Sequence, residues 1–312
     1  MAVTTGEPVP RLPLPGLVAR GLTQLKNLGF GVLFLWPSIL LFGAFVFYPL
    51  IKSVYLGFYE SDPLGNRGDF VGFDQYRSVL AGSAFRHSLR ITFQFTMYTV
   101  PPAIVLGLGL AMLANQKLPG ISIFRTIFAS TVATSVAVAS MMWLTLLNPT
   151  TGLVTWILDQ LGQPRLNLLN DPDWALVAVS LTTIWLNLGL ATIVFLAGLQ
   201  SIPERLYESA RIDGASRLGT FLHVTLPMLS PTLLFVTVIG TILAFESFGQ
   251  IHILTRGGPL DETKVIVYSI WENAFQRFDY GVASVQAVGL FILVLGLTVI
   301  QLRFLERRVF YQ

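Results

Sequence analysis

Long uncharged apolar stretches alternate along this chain with short charged ones. Six stretches stand out: Leu28–Ile51 between Lys26 and Lys52, Ile91–Gln116 between Arg90 and Lys117, and Thr126–Leu147 from Arg125 to the Asn148-Pro149 turn. Trp174–Leu199 follows Asp173, Pro227–Phe248 carries one acid, Glu246, and Gly281–Leu302 is closed by Arg303. Each reaches the roughly 20 apolar residues that a helix needs to cross a bilayer core. In that solvent every backbone amide must be satisfied within the segment, so helices are the expected elements. The pattern predicts an all-α integral membrane protein. It has a segment over 1–27, a six-span domain over 28–302 (28–51, 91–116, 126–147, 174–199, 227–248 and 281–302) and a tail over 303–312. Pro37, Pro49 and the pair Pro101-Pro102 predict kinked or partly unwound helices.

Composition agrees. Of 312 residues, 53% are hydrophobic and only 12% charged, about half the ~25% charged share of a soluble domain. Bulk water as the only solvent is excluded, and so is intrinsic disorder. The net charge of +3 is no nucleic-acid footprint, because the basic residues fall in loops and flanks. With six spans both termini share one side, which holds Arg11, Arg20, Lys26, Lys117, Arg125, Arg205, Arg211, Arg217, Arg303, Arg307 and Arg308. The other side holds Lys52, Arg67, Arg77, Arg86, Arg90, Arg165, Arg256, Lys264 and Arg277, spread over longer loops. Eleven against nine places the termini in the cytoplasm by the positive-inside rule. A full-length first span ending in Pro49-Leu50-Ile51-Lys52 reads as uncleaved rather than as a secretory signal.

The loop over 201–226 carries the most specific pattern. Ser201 with Glu204 has capping-box spacing, and Pro203 suits a helix start. A helix is predicted from there to about Ile212, a turn at Asp213-Gly214, and a second short helix from about Ala215 into Leu226-Pro227. Leu206 and Ala210 share one face, while Arg205, Glu208 and Arg211 charge another. Such an element packs one side on its own bundle and offers the other to a partner.

Glu208-Ser209-Ala210, Asp213-Gly214-Ala215 and Val224 two before Leu226-Pro227 closely resemble the EAA motif of permease subunits from binding-protein-dependent ABC importers. Ser209 stands where that motif has alanine. Phe70-Val-Gly-Phe-Asp-Gln-Tyr76 and Ile253-Leu-Thr-Arg-Gly-Gly-Pro259 resemble elements of the sugar-type MalF/UgpA permeases. Asp62-Pro-Leu-Gly65 and the segment 297–312 resemble more particularly the permeases of glycerol-3-phosphate and glycerophosphodiester importers. The resemblance implies a type I importer permease fold in a bacterial cell membrane. Implied with it is a non-catalytic role beside a second homologous permease, an ABC ATPase dimer that binds ATP and Mg, and an extracytoplasmic solute-binding protein. It assigns Glu208, Ser209, Ala210, Asp213, Gly214, Ala215, Leu226 and Pro227 to ATPase coupling. The implied substrate is glycerol 3-phosphate or a glycerophosphodiester such as glycerophosphocholine, with an oligosaccharide such as maltose or trehalose as the alternative.

Inside the spans, an ionisable residue is costly unless paired or wet, which makes Glu246 the first candidate for a substrate path. Ser247 and Gln250 lie beside it. Thr183, Trp185 and Asn187 on the fourth span and Gln94 on the second are further candidates, and helix–helix hydrogen bonding is the competing role. A carboxylate suits a hydroxyl or a choline-type cation better than a phosphate ester. An ion-coupled secondary transporter working through Glu246 is the rival class, and a membrane transferase a more distant one. With no Gly-Lys dipeptide the chain has no phosphate-cradling loop of the P-loop type. His87, His223 and His252 show no metal-ligand spacing and read as solvated loop residues. Zero cysteines exclude disulfides and thiolate chemistry.

Overall fold

A computed structural model describes residues 34–62, 65–162 and 166–306. The segment 1–27, the start of the first predicted span, Pro63-Leu64, Arg165 and the tail from 307 lie outside the described residues. The chain divides at Lys52/Ser53 into two units. The first described helix, α1, runs over Phe34–Leu56. A π turn over Gly43–Phe47 precedes Pro49, whose missing N–H breaks the regular bond ladder at that point.

In the second unit, a two-stranded antiparallel hairpin pairs β1 (Tyr59–Ser61) with β2 (Arg67–Phe70), Tyr59 facing Phe70 and Ser61 facing Arg67. A short helix α2 (Phe73–Ala81) leads to α3 (Ser83–Ala114), which starts eight residues before the predicted span and runs through Pro101 and Pro102 without a break. Next come α4 (Ile121–Ala133) and α5 (Val136–Leu146), then α6 (Leu153–Gln160) and α7 (Ala175–Ser201). The chain continues with α8 (Glu204–Ile212), α9 (Arg217–Met228) and α10 (Ser230–Phe245). It closes with α11 (Gly249–Leu254), α12 (Ile266–Trp271) and α13 (Tyr280–Glu306).

Four of these helices, α1, α3, α7 and α13, are long and apolar enough to cross a membrane singly. The stretch read as one span over 126–147 is instead two helices, α4 and α5, meeting at 103°, and α9 meets α10 at 66°. Neither Gly nor Pro marks the first break. It occurs where Thr134 and Ser135 are extended and where the Thr131 hydroxyl accepts a bond from the backbone N–H of Gly189 in α7 (3.0 Å). That hydroxyl leaves no room for a Cβ at Gly189, so a tertiary contact specifies the bend.

The core sits between α3 and α7, joined by α10. Gly107 of α3 lies so close to α7 that a Cβ there would meet that of Ala191 at 2.7 Å, the small-residue approach that lets membrane helices pack backbone to backbone. One cluster gathers Ile91, Phe95, Val179, Ile251 and Val265, and another Leu108, Phe195, Leu199 and Leu229. Phe95, Phe195, Ile251 and Leu229 are fully buried. These two clusters underlie the two regions described next.

Candidate functional site: an elbow and a polar cavity

The elbow is α8, Gly214 and α9. The predicted capping box is not formed. Ser201 belongs to the end of α7, where its hydroxyl donates to the Gly198 carbonyl (2.8 Å), and Pro203 is the N-cap without a side-chain bond. Continuation of α7 to Ser201 uses up the hydroxyl that would have capped α8. Glu204 pairs instead with Lys117 at 3.1 Å, both largely exposed, a contact of little energetic weight. The C-terminus of α8 closes as a Schellman motif, with Ala215 N–H donating to the Ala210 carbonyl (2.9 Å) and Gly214 at φ +73°. Nothing lies within 4 Å of a Cβ placed on Gly214, so the residue is there for its left-handed backbone and not for space.

One side of the elbow is pinned. Ala210 is buried, and Leu206, Tyr207 and Phe221 pack on the cluster of Leu199, Ile202 and Leu229. Tyr207 Oη lies 3.3 Å from Thr225 Oγ1, tying α8 to the far end of α9. Ser216 caps α9 by accepting from Gly219 N–H (3.1 Å), and Leu226 and Pro227 are half-buried beyond a π turn over Phe221–Thr225. The other side is open, presenting Glu208, Ser209, Asp213 and Ala215. Sequence reasoning passed over Ile212 and Leu218, which are 85% and 67% exposed on either side of the turn. Apolar residues flanking a charged turn, off the Leu206/Ala210 face, were the available signal.

The second region is a cavity of about 350 Å³ where α10 gives way to α11 beside α7. Thr183, Asn187, Glu246, Ser247 and Gln250 all line it. Glu246 ends α10 and is exposed. Buried Gln250 donates from Nε2 to Thr183 Oγ1 and to Ser247 Oγ, both at 3.1 Å, while Ser247 donates to the Leu243 carbonyl (3.0 Å) and Thr183 to that of Val179 (2.9 Å). The wall is therefore a preset hydrogen-bonded string, with one carboxylate and the Asn187 amide beside it. It can bond hydroxyls and attract a cation, and its charge repels an anion. Trp185 and Gln94 do not line this cavity. Trp185 packs edge-to-face on Trp143 at 6.3 Å, and Gln94 is half-buried on α3.

His252 corrects the reading of the histidines as solvated. It is half-buried in α11, stacked on Phe248 at 5.2 Å and edge-to-face with Trp271 at 4.7 Å, with a buried Nδ1 that makes no hydrogen bond. His87 lies 3.2 Å from the Asp261 carbonyl, and His223 is exposed, bonded to the Gly219 carbonyl at 2.9 Å. Among the described residues no group of three or more His, Asp or Glu is placed to hold a metal.

The sequence profile of the family described as "Binding-protein-dependent transport system inner membrane component" matches residues 79–311. The "sn-glycerol-3-phosphate transport system permease protein UgpA" of Rhizobium meliloti is 35% identical over 276 residues, covering 88% of this chain and 94% of the relative. The protein of that description from Pectobacterium atrosepticum is 33% identical with the same coverage. Among solved structures, a chain of a bacterial ABC transporter involved in the import of the acidic polysaccharide alginate superposes with a TM-score of 0.80. Its identity is 25%, over 92% of this chain and 99% of that one. A chain of the MetNI methionine ABC transporter, 16% identical with a TM-score of 0.51 over 72% of this chain and 94% of that one, shares the fold alone.

Proposed function

Because this chain belongs to the binding-protein-dependent transport system inner membrane components, the non-catalytic permease subunits of ABC importers, we propose that it moves glycerol 3-phosphate or a glycerophosphodiester across a bacterial cell membrane. Family membership displaces the ion-coupled transporter and the membrane transferase. The similarity to UgpA permeases over 88% of the chain is the observation that carries the substrate.

In this reading α4 with α5 form one span and α10, entered from Pro227, another, which completes six; both termini are cytoplasmic, and the elbow faces the cytoplasm. The ATPase dimer binds ATP and Mg, and its closure pushes on the elbow. Glu208 is the charged contact and Gly214 permits the turn. The pinned face of α8 passes that displacement to α7 and, through α9, to α10, whose far end meets α7 at the Glu246 cavity. A solute-binding protein delivers the ligand from outside, and a second homologous permease forms the other half of the path.

A second reading is an oligosaccharide such as maltose or trehalose. It is favoured by the carboxylate in the cavity, which disfavours a phosphate, and by the likeness to an alginate importer chain. Uptake by the reconstituted complex with its binding protein separates the two. ATP-driven accumulation of glycerol 3-phosphate or glycerophosphocholine supports the first reading, and accumulation of only oligosaccharides replaces it with the second. Uptake driven by an ion gradient without ATP would overturn both.

A further inference from the structure

A separate cleft of about 610 Å³ opens between α2, the start of α3, the loop before α12, the π turn after α12 and the start of α13. Its size falls within the ~300–1,000 Å³ of small-molecule sites, and it shares no lining residue with the Glu246 cavity. Lys264 Nζ lies 2.8 Å from a carboxylate oxygen of Asp261 and 2.8 Å from one of Glu272, whose other oxygen takes Arg277 Nη2 at 3.0 Å. The Lys264 and Glu272 side chains are only 13% and 18% exposed. Burial works against the Lys264 ammonium, but Asp261 and Glu272 outweigh it and raise its pKa, so Lys264 is charged at neutral pH. The two cations and two carboxylates of this clasp cancel.

Next to the clasp, Asn273 donates to the Ser269 carbonyl (2.9 Å) and to Gln286 Oε1 (3.1 Å), which Ser269 Oγ also approaches at 3.3 Å. None of these bonds uses the Gln286 amide nitrogen. Half-buried ion pairs are weak contributors to stability once desolvation is counted. The cleft is walled by these paired charges together with amides and hydroxyls.

We propose that this cleft binds a neutral polyhydroxylated group, a sugar ring or a glycerol moiety, through hydroxyls that each donate and accept. With charges that balance within the clasp and both kinds of hydrogen-bonding partner, the wall matches hydroxyls, and the clasp gives an anion no net attraction. The solute class rests on the transport reading above. The cleft is thus a station for the solute's polyol part, separate from the acidic cavity.

The cysteine-free chain allows a direct test. Ser83→Cys places one exposed thiol on the cleft wall, and its rate of alkylation is read on this chain by mass spectrometry in the assembled transporter in nanodiscs. Maltose or glycerol 3-phosphate should slow the reaction, by about fourfold at three times the dissociation constant on simple mass action. Inorganic phosphate should not, and Ser209→Cys on the elbow should be unaffected by any of the three. Gln286→Ala should remove the protection while leaving the unprotected rate unchanged. Protection by inorganic phosphate equal to that by the polyols, or protection by none of the probes, would overturn the site. Uptake measured on the same complex separates the two failures. Uptake without protection sinks the cleft alone, while protection by maltose without glycerol 3-phosphate uptake sinks only the substrate assignment.

Discussion

The elbow takes its turn from consecutive residues, the Schellman bond from Ala215 to Ala210 and the left-handed Gly214. The Glu246 cavity draws its wall from residues 67 positions apart, joined by the bond from Gln250 to Thr183. One region is a local motif with a free outer face, and the other is a product of helix packing. A single substitution can therefore break the elbow without disturbing the bundle. In the cavity, a change on α11 strands a partner on α7.

Gly214→Pro is expected to have the largest effect, because proline cannot adopt a positive φ. It should abolish ATP-driven uptake while the chain still inserts and assembles with its partners. Gly214→Ala, which meets no neighbour, carries only the left-handed cost of about 1–2 kcal/mol and should retain part of the activity. Equal loss in both variants would show that the turn's geometry is not the cause. Glu208→Lys should lower uptake by roughly 30-fold, the equivalent of the 2 kcal/mol or more lost when a charged contact is broken at an interface. Normal uptake in this variant would remove Glu208 from the docking face.

On the cavity side, Gln250→Leu takes the donor away from Thr183 and Ser247 at a cost of about 1–3 kcal/mol. Its signature should be an altered solute preference with ATPase activity retained, whereas elbow variants should lose coupling for every solute alike. Glu246→Gln removes the cavity's charge and is expected to change uptake by about fivefold, since a wet charge acts with roughly 1 kcal/mol at close range. Improved uptake of a phosphate ester together with weaker uptake of neutral solutes is the predicted direction. The opposite direction would mean that Glu246 does not face the solute.

Much of this division was readable in the chain. The uncharged stretches located α3, α7 and α13 to within a few residues at most ends, because solvent exclusion acts residue by residue. The start of α3 is the exception, since Ser83–Arg90 is helical yet carries Arg86 and Arg90, charges that by pattern alone belong to a loop. The turn at Gly214 was readable because left-handed backbone selects glycine. The break between α4 and α5 was not, since it depends on a Thr131 hydroxyl meeting Gly189 across two helices. Likewise the Ser201/Glu204 spacing predicts a cap, because spacing alone cannot tell which helix a hydroxyl belongs to. For the cavity, chemistry within each span nominated Thr183, Asn187, Glu246, Ser247 and Gln250, which do converge. It also nominated Trp185, which points instead to Trp143.

The smallest expected effect concerns pH. The Lys264 pKa is raised above its ordinary value of 10.5, so the clasp's stabilisation is complete below that pH and is lost only as pH climbs through the raised value. Between pH 6 and 9 the Lys264→Met variant should therefore differ from the parent by a constant amount in thermal stability. A difference that varied across this range would point to another titrating group.

The claim on which the rest depends is that the open face of the elbow engages an ATPase subunit. In the cysteine-free chain, Ser209→Cys provides a single thiol on that face, and a short bifunctional cross-linker in the assembled, transport-competent complex reports what lies beside it. Capture of the ATPase subunit, with a yield that changes when ATP is added, is the predicted result. A complex that transports normally yet gives no such product from Ser209, Ile212 or Leu218 positions would contradict the account.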